Sequence, residues 1–375
     1  MKPFRILQVV TIMNRGGLET MLMNYYRQMD RTKIQFDFMV HRNEQGHYDE
    51  EITTMGGRII TMPSIRPGHY RRYFQLLDDF FKHNTEYKVV HSHINENCSF
   101  VLKAAKEHGV PCRIAHSHLS DLGLDIKLPF RMYARYMMKD NANQYFACSE
   151  KAGEWLFGKK KVKVLNNAVN AKEFQYSEQV RNNLRTELNL KDKLVIGHIG
   201  RFNKQKNHTF LIDIFQQVKK QKPHSVLLLV GDGHLRPQIE KKVHDLGLGD
   251  SVRFLGVRND IASLMQAMDL FLFPSLFEGL PVVLVEAQAA GLQCIVSNTI
   301  TKEAKITKNV HFVKLLDSAT DWANKVLSTS TEHMNTFHIL REKGYDTTTM
   351  ADWLTGYYTA YCKKEFTSTK LEAVT

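Results

Sequence analysis

Glu278 and Glu286 stand eight residues apart, on either side of Pro281, in the segment Pro274-Ser275-Leu276-Phe277-Glu278-Gly279-Leu280-Pro281-Val282-Val283-Leu284-Val285-Glu286-Ala287. Pro281 suits the first turn of a helix. Glu278 then falls just before that helix, and Glu286 lies a little over two turns further on, near the same face. Glu286 sits among apolar neighbours, where burying an idle carboxylate is costly. Two such acceptors beside free helix-terminal amides suit a polyhydroxylated anion. The amides take phosphate and the carboxylates take sugar and ribose hydroxyls. A partly exposed helix glutamate would read the same way.

Basic partners for such an anion occur in Gly200-Arg201-Phe202-Asn203-Lys204-Gln205-Lys206-Asn207. Arg201 ends a strand-like run and Lys206 follows five residues later, ahead of a helical pattern. A guanidinium forking onto oxygens and an ammonium acting as a point charge are what a diphosphate requires. A basic surface loop is the plainer alternative. Near the start, Gly16-Gly17 lies between a strand and a helix, where backbone can approach a ligand and a helix N-terminus favours an anion. The same pair can be purely structural. Gly231-Asp232-Gly233 reads as a tight turn at a strand's end. His116 and His118 alternate along one strand face, but no carboxylate or cysteine completes a usual metal set, so no metal site is expected.

The elements that must hold these residues alternate from end to end. Strand-like runs are Arg5–Val10, Phe36–Val40, Arg58–Met62, Val89–His93, Arg113–His118 and Gln144–Cys148. A second series comprises Leu194–Ile199, Val226–Val230, Val252–Leu255, Leu270–Phe273, Cys294–Ser297 and His311–Val313. Amphipathic stretches such as Thr209–Lys220 and Arg236–Leu246 lie between them. Strand and helix in alternation mean parallel sheets covered on both faces, and here the pattern occurs twice. The expectation is two Rossmann-like domains, residues 1–168 and 169–349, with ligand bound in a central cleft at the carboxyl ends of both sheets. A helix from about 350 to 375 carries Trp353, Leu354, Tyr357, Tyr358 and Tyr361, and is expected to pack back on the first domain.

Length agrees with two domains. The apolar and charged fractions, 43% and 24%, are those of a globular chain. The five cysteines are widely spaced with no CxxC, which fits a reducing compartment rather than a disulfide framework. The first apolar run is too short for a signal peptide, and Leu270–Leu292 is too interrupted to span a bilayer. A cytoplasmic protein is expected. The net charge of +12 falls mostly before residue 165. There Arg131, Arg135 and Lys139 recur at every fourth residue, interleaved with Met132, Tyr133, Tyr136 and Met137. Such a helix suits peripheral contact with an anionic membrane at its inner face, or it packs its apolar stripe on its own domain. No nucleic-acid-binding module accompanies the charge.

Glu278 and Glu286, with seven residues between them, form the E-x7-E signature of retaining glycosyltransferases with two Rossmann-like domains, the GT-B architecture. The surrounding PSLFEGLPVVLVEAQAAGLQCIVS resembles glycosyltransferase family 4, as do GRFNKQKN, LLLVGDG, RFLGVRND and the early GGLE. Nearly the whole chain shares this likeness, and its overall pattern is most similar to bacterial exopolysaccharide-biosynthesis members. The resemblance implies that Arg201 and Lys206 neutralise a donor diphosphate, with Gly16-Gly17 bringing backbone to it. It implies that Glu286 accepts ribose hydroxyls and that Glu278 touches the donor sugar. Amides around Gly279, Leu280 and Val282 assist, Val257 meets the base through its main chain, and His118 stands beside the transferred sugar. It further implies a nucleotide-diphosphate-sugar donor, UDP-linked, a saccharide or lipid-linked acceptor, retention of configuration and no metal or other cofactor; no Asp-x-Asp motif stands where a divalent ion would bridge phosphates.

One departure concerns Asn166-Asn167-Ala168-Val169-Asn170, where the family usually has Asn-Gly-Val-Asp, so hinge detail does not carry over. Two rival readings are a nucleotide-sugar epimerase of the same architecture, which would change the sugar without acceptor, and a non-catalytic partner of a membrane polysaccharide complex, which would bind no nucleotide. A nicotinamide dehydrogenase is disfavoured because neither glycine loop reads GxGxxG.

Overall fold

A computed structural model describes residues 2–65, 70–118, 128–278 and 280–363. The chain divides into two compact units, Met1–Asn167 with Thr347–Thr375, and Ala168–Asp346.

The first unit is built on seven parallel strands: β1 (Phe4–Val9), β2 (Ile34–Val40), β3 (Ile59–Thr61), β4 (Val89–Ser92), β5 (Cys112–Ser117), β6 (Gln144–Ala147) and β7 (Lys163–Val164). Their order is β3-β2-β1-β4-β5-β6-β7. The two-residue β7 is a strand that composition did not indicate; its run of lysines has little β propensity, and pairing with β6 decides its state. β2 is buried along its whole length, as a strand covered on both faces must be. The helix Thr347–Cys362 buries Leu354, Tyr357, Tyr358 and Tyr361 and packs on the helix Gly17–Gln28 and on β1, β2 and β4. The remainder of the helix expected to reach residue 375 lies outside the described residues.

The second unit holds six parallel strands: β8 (Leu194–Ile199), β9 (Ser225–Val230), β10 (Val252–Gly256), β11 (Leu270–Phe273), β12 (Gln293–Ser297) and β13 (Val310–Val313). Their order is β10-β9-β8-β11-β12-β13. Both sheets therefore reverse direction of winding once, between β1 and β4 and between β8 and β11. Loops leaving the strands on either side of such a reversal diverge, and a crevice opens between them at the strands' carboxyl ends. Among the described residues no helix is long and apolar enough to cross a membrane, and none of the five cysteines is joined in a disulfide.

Candidate active site

At the reversal of the second sheet, the loop after β8 meets the loop after β11. Asn203 caps a short 3-10 turn, Lys204–Lys206, by accepting from the Lys206 N–H at 3.1 Å. The two loops are stitched by Leu276 N–H to the Gln205 carbonyl at 2.8 Å, Gln205 Nε2 to the Phe277 carbonyl at 3.1 Å and Asn207 Nδ2 to the Pro274 carbonyl at 3.1 Å. Asn207 adopts a left-handed conformation, φ 55°, which asparagine tolerates better than most residues. The consequence is that Lys206 Nζ donates to Glu278 Oε1 at 2.6 Å while lying 4.5 Å from the Phe273 ring centroid. Both side chains are largely withdrawn from solvent, 14% and 9% exposed.

Gly231, in the neighbouring loop after β9, has φ +129°, and a Cβ there would lie 2.2 Å from the Gly200 carbonyl oxygen. The turn lets two backbones touch behind the basic loop, so its glycine serves packing. Arg201 is exposed just beyond β8, and its guanidinium has no hydrogen-bond or ion-pair partner among the described residues.

Glu286 lies on the helix Val282–Ala289, whose other side is buried through Leu284, Val285 and Gln288. Gln288 secures that helix, accepting from Ile306 N–H, Thr307 N–H and Thr307 Oγ1 and donating to the Leu284 and Ala304 carbonyls. Desolvation, and then the charge of Glu173, push the Glu286 carboxyl up to about 7. The expected helical relation between the two glutamates does not hold. Glu278 is extended, bridged to Ile300, and Pro281 caps the helix instead of entering its first turn. Glu278 lies in the loop and Glu286 on the helix that follows it; Lys206 pairs with the first, and the charge of Glu173 opposes ionisation of the second. Val282 and Leu280 are buried, 7% and 8% exposed, so only their backbone could serve a ligand. The Val282 and Val283 N–H groups have no acceptor among the described residues, as expected of a helix start. Val257 follows the positive-φ Gly256 and is 57% exposed. Gly279 lies outside the described residues.

In the first unit, Gly16 caps the helix Gly17–Gln28 without a side-chain bond. A Cβ on Gly16 would meet the Glu19 carboxylate at 2.2 Å, whereas one on Gly17 would meet nothing within 4 Å. The Glu19 carboxylate is the free end of a flexible side chain and Gly16 has an ordinary extended φ of -128°, so packing within the chain requires neither glycine.

His118 follows β5, its backbone N–H reaching Asn95 Oδ1 at 3.3 Å. Its ring stands among three histidines that are almost wholly buried, His91, His93 and His116. Their ring nitrogens lie within 4.8 Å of one another. Besides His116 and His118, the sequence carries the same alternation in His91-Ser92-His93, which runs off the end of β4, the parallel neighbour of β5. Burial holds His91, His93 and His116 well below the usual imidazole range. His118 keeps some exposure, yet desolvation pushes it down to about 3. All four are neutral at ordinary pH.

The helix Leu128–Asn141 turns an unexpected side outward. It buries Ala134, Met138 and Asn141, leaving Met132, Tyr133 and Tyr136 at 50%, 55% and 66% exposure. Of its basic residues, Arg131 faces Glu96 at 3.4 Å and Arg135 donates to the Leu156 carbonyl at 3.0 Å. The apolar stripe therefore does not pack inward, because small Ala134 and flexible Met138 fill the interface. A cavity of about 380 Å3 opens here, lined by Met132, Arg135, Tyr136, Lys139, Tyr145 and Lys160 among others.

Comparison with known proteins gives a consistent result. The model for "Glycosyl transferases group 1" matches residues 180–345, and that for "Glycosyltransferase Family 4" matches residues 15–173. The Bacillus subtilis protein "Putative glycosyltransferase EpsF" is 39% identical over 308 residues, 80% of each chain. An Escherichia coli UDP-Gal:alpha-D-GlcNAc-diphosphoundecaprenol alpha-1,3-galactosyltransferase is 29% identical over 225 residues, 57% of this chain and 58% of that one. The crystal structure of Anabaena HepE in complex with UDP superimposes with a TM-score of 0.76 at 19% identity, over 96% of this chain and all of the other; that likeness concerns the fold.

Proposed function

The chain belongs to the GT-B glycosyltransferases of group 1 and family 4, and on that premise we propose that it moves a hexose from a UDP-sugar to a saccharide or lipid-linked acceptor, with retention, in the synthesis of a cell-surface polysaccharide. The UDP donor and lipid-linked acceptor are those in the name of the Escherichia coli relative. The observation that carries the reading is the Lys206–Glu278 pair, held at 2.6 Å by loops stitched at the sheet's reversal. A withdrawn Lys206 and an exposed Arg201 share one loop at the reversal of the sheet, where open α/β sheets bind their ligands, and this supports the reading.

In the proposed reaction the bond between the anomeric carbon and the diphosphate oxygen breaks, and its electron pair leaves with the diphosphate. Arg201, Lys206 and the amides at the start of Val282–Ala289 meet the charge that grows there. Glu278 accepts from the donor sugar once Lys206 turns to phosphate, and Glu286 accepts from the ribose hydroxyls. Val257 and Gly16-Gly17 serve the donor through their backbone. The acceptor oxygen bonds to the carbon on the face that the diphosphate leaves, and its proton passes to a departing phosphate oxygen. His118, a neutral ring, supports the positive charge that develops on the sugar. No metal or other cofactor enters this scheme.

The test is transfer from UDP-sugars to lipid-linked acceptors, with the anomeric configuration of the product read by NMR. Lys206→Ala and Glu278→Ala are expected to lose about 3 kcal/mol of transition-state stabilisation, on the order of a hundredfold in turnover, while far-UV circular dichroism remains that of the parent. Chelator should leave the rate unchanged. Wild-type turnover in either variant, or an inverted product, removes the assignment.

The outward Met132, Tyr133 and Tyr136 beside Lys139 and Lys160 support a peripheral role for this face on anionic bilayers. Sedimentation with phosphatidylglycerol vesicles should deplete the protein from solution, and Tyr133→Ser with Tyr136→Ser should reverse this. Equal recovery with neutral phosphatidylcholine vesicles would argue against the charge term.

A further inference from the structure

Four clustered histidines of the first unit, His91, His93, His116 and His118, sit where its sheet reverses, at the carboxyl ends of β4 and β5, beside Gln8 of β1. Two hydrogen-bonded branches leave Gln8. In one, His93 Nε2 is 2.9 Å from Gln8 Oε1 and His93 Nδ1 is 3.0 Å from His118 Nε2. In the other, Gln8 Nε2 is 3.4 Å from the Tyr358 hydroxyl, which is 2.7 Å from His91 Nδ1, and His91 Nε2 is 3.0 Å from His116 Nδ1. Gln8, His91, His116 and Tyr358 are wholly buried and His93 nearly so, so bulk solvent cannot correct a mismatched donor.

Each neutral imidazole has one N–H and one lone pair. An amide oxygen can only accept, so the proton of His93 must be on Nε2. Its Nδ1 is then an acceptor, which requires the proton of His118 to be on Nε2. The remaining nitrogen of His118, Nδ1, has no hydrogen-bond partner among the described residues. The other branch is consistent: the amide N–H faces the tyrosine oxygen, the tyrosine proton goes to His91 Nδ1, and His91 donates to His116. Its cost is the buried, unpartnered Nε2 of His116. Reversing the Gln8 amide would reverse every bond in both branches and move the His118 proton to Nδ1. This also argues against a metal among His91, His93 and His116, since both nitrogens of His91 and of His93 are already engaged.

We propose that Gln8 is a positioning residue that, acting through His93, holds the His118 proton on Nε2 and leaves Nδ1 as a lone-pair acceptor for a sugar hydroxyl. The proposal rests on the reading of His118 as the group beside the transferred sugar. A lone pair there adds negative potential as the anomeric centre becomes positive; an N–H in the same place would oppose it.

The test is long-range proton–nitrogen NMR on the full-length, histidine-labelled protein, with His118 assigned by loss of its signals in His118→Phe. The wild type should show a protonated Nε2 and an unprotonated Nδ1. Gln8→Leu should give an averaged tautomer and lower kcat by roughly tenfold to a hundredfold, the range for losing a histidine's outer hydrogen-bond partner, with the donor KM little changed. His93→Asn, which retains an acceptor near the Nδ1 position, should keep more activity than His93→Leu. A wild-type proton on Nδ1, or a tautomer indifferent to Gln8→Leu, overturns the relay, and the wild-type measurement stands even if a variant fails to fold. Wild-type turnover in His118→Ala would instead sink the functional reading on which the role depends.

Discussion

At Glu286 the carboxyl meets opposing demands. Loss of hydration and the nearby Glu173 raise it from 4.5 to about 7, whereas ribose hydroxyls donating to it would favour the ionised form. Donor binding below pH 7 should therefore release a proton, and affinity should rise as pH increases through that value. Calorimetry at pH 6 in two buffers of different ionisation enthalpy measures the release, expected to approach roughly one proton; the same heat in both buffers would contradict it. Glu286→Gln should remove the effect. For stability alone the sign is opposite: the folded chain binds this proton more tightly than the unfolded one, so the contribution is fully present below pH 4.5 and is lost as pH rises through 7. The residue types proposed for this site were legible because few side chains can neutralise a diphosphate or accept from sugar hydroxyls. Their partners were not, since Glu173 lies far from Glu286 in sequence.

At the scale of elements, placement of the loops depends on β8 and β11 staying in register. Asp269, at the head of β11, accepts from the Val195 N–H of β8 at 2.7 Å and from Arg185 at 3.2 Å, and also pairs with Arg181. Both arginines come from the helix Glu178–Glu187, so one buried carboxylate ties two central strands to a covering helix. Asp269→Ala leaves the Val195 N–H without its acceptor and two guanidinium groups without a counter-charge, though they still donate to backbone carbonyls. It should cost about 3–5 kcal/mol, read as a lower urea midpoint with an unchanged slope; a loss under 1 kcal/mol would show that water replaces the carboxylate. Strands such as Leu194–Ile199 and Leu270–Phe273 could be read from composition because strands buried on both faces are near-continuous apolar runs. The outward side of Leu128–Asn141 could not, since its apolar and basic residues interleave and only the neighbouring helices decide which are covered.

For the whole molecule, acid is the expected weakness. His91, His93, His116 and His118 in the first unit and His198 and His208 in the second are all held below the usual imidazole value by burial. In the unfolded chain they titrate near about 6.5. The unfolded state thus binds more protons below that pH, and stability should be full above it and fall as pH drops, by up to about 1.4 kcal/mol per pH unit for each group. The Glu286 carboxyl pulls the other way and is a single group. Thermal unfolding followed from pH 8 to 5 should show the midpoint falling steadily below about 6.5. A flat profile would mean that these histidines remain partly hydrated in the folded chain.

The family and the doubling of the α/β pattern were determined by the sequence itself, because they rest on local periodicity and on motifs contiguous in the chain; the residue types proposed to meet the donor were visible in the same motifs. Which acid holds Lys206, which neighbour raises Glu286, and which glutamine sets the tautomer of His118 were decided only by the tertiary structure. Gln8, His93, His118 and Tyr358 come from four separate elements, and their hydrogen bonds exist only once parallel pairing has aligned β1, β4 and β5 and a helix from the far end of the chain has closed over them. A buried donor selects its acceptor by position in space, which spacing along a chain does not encode.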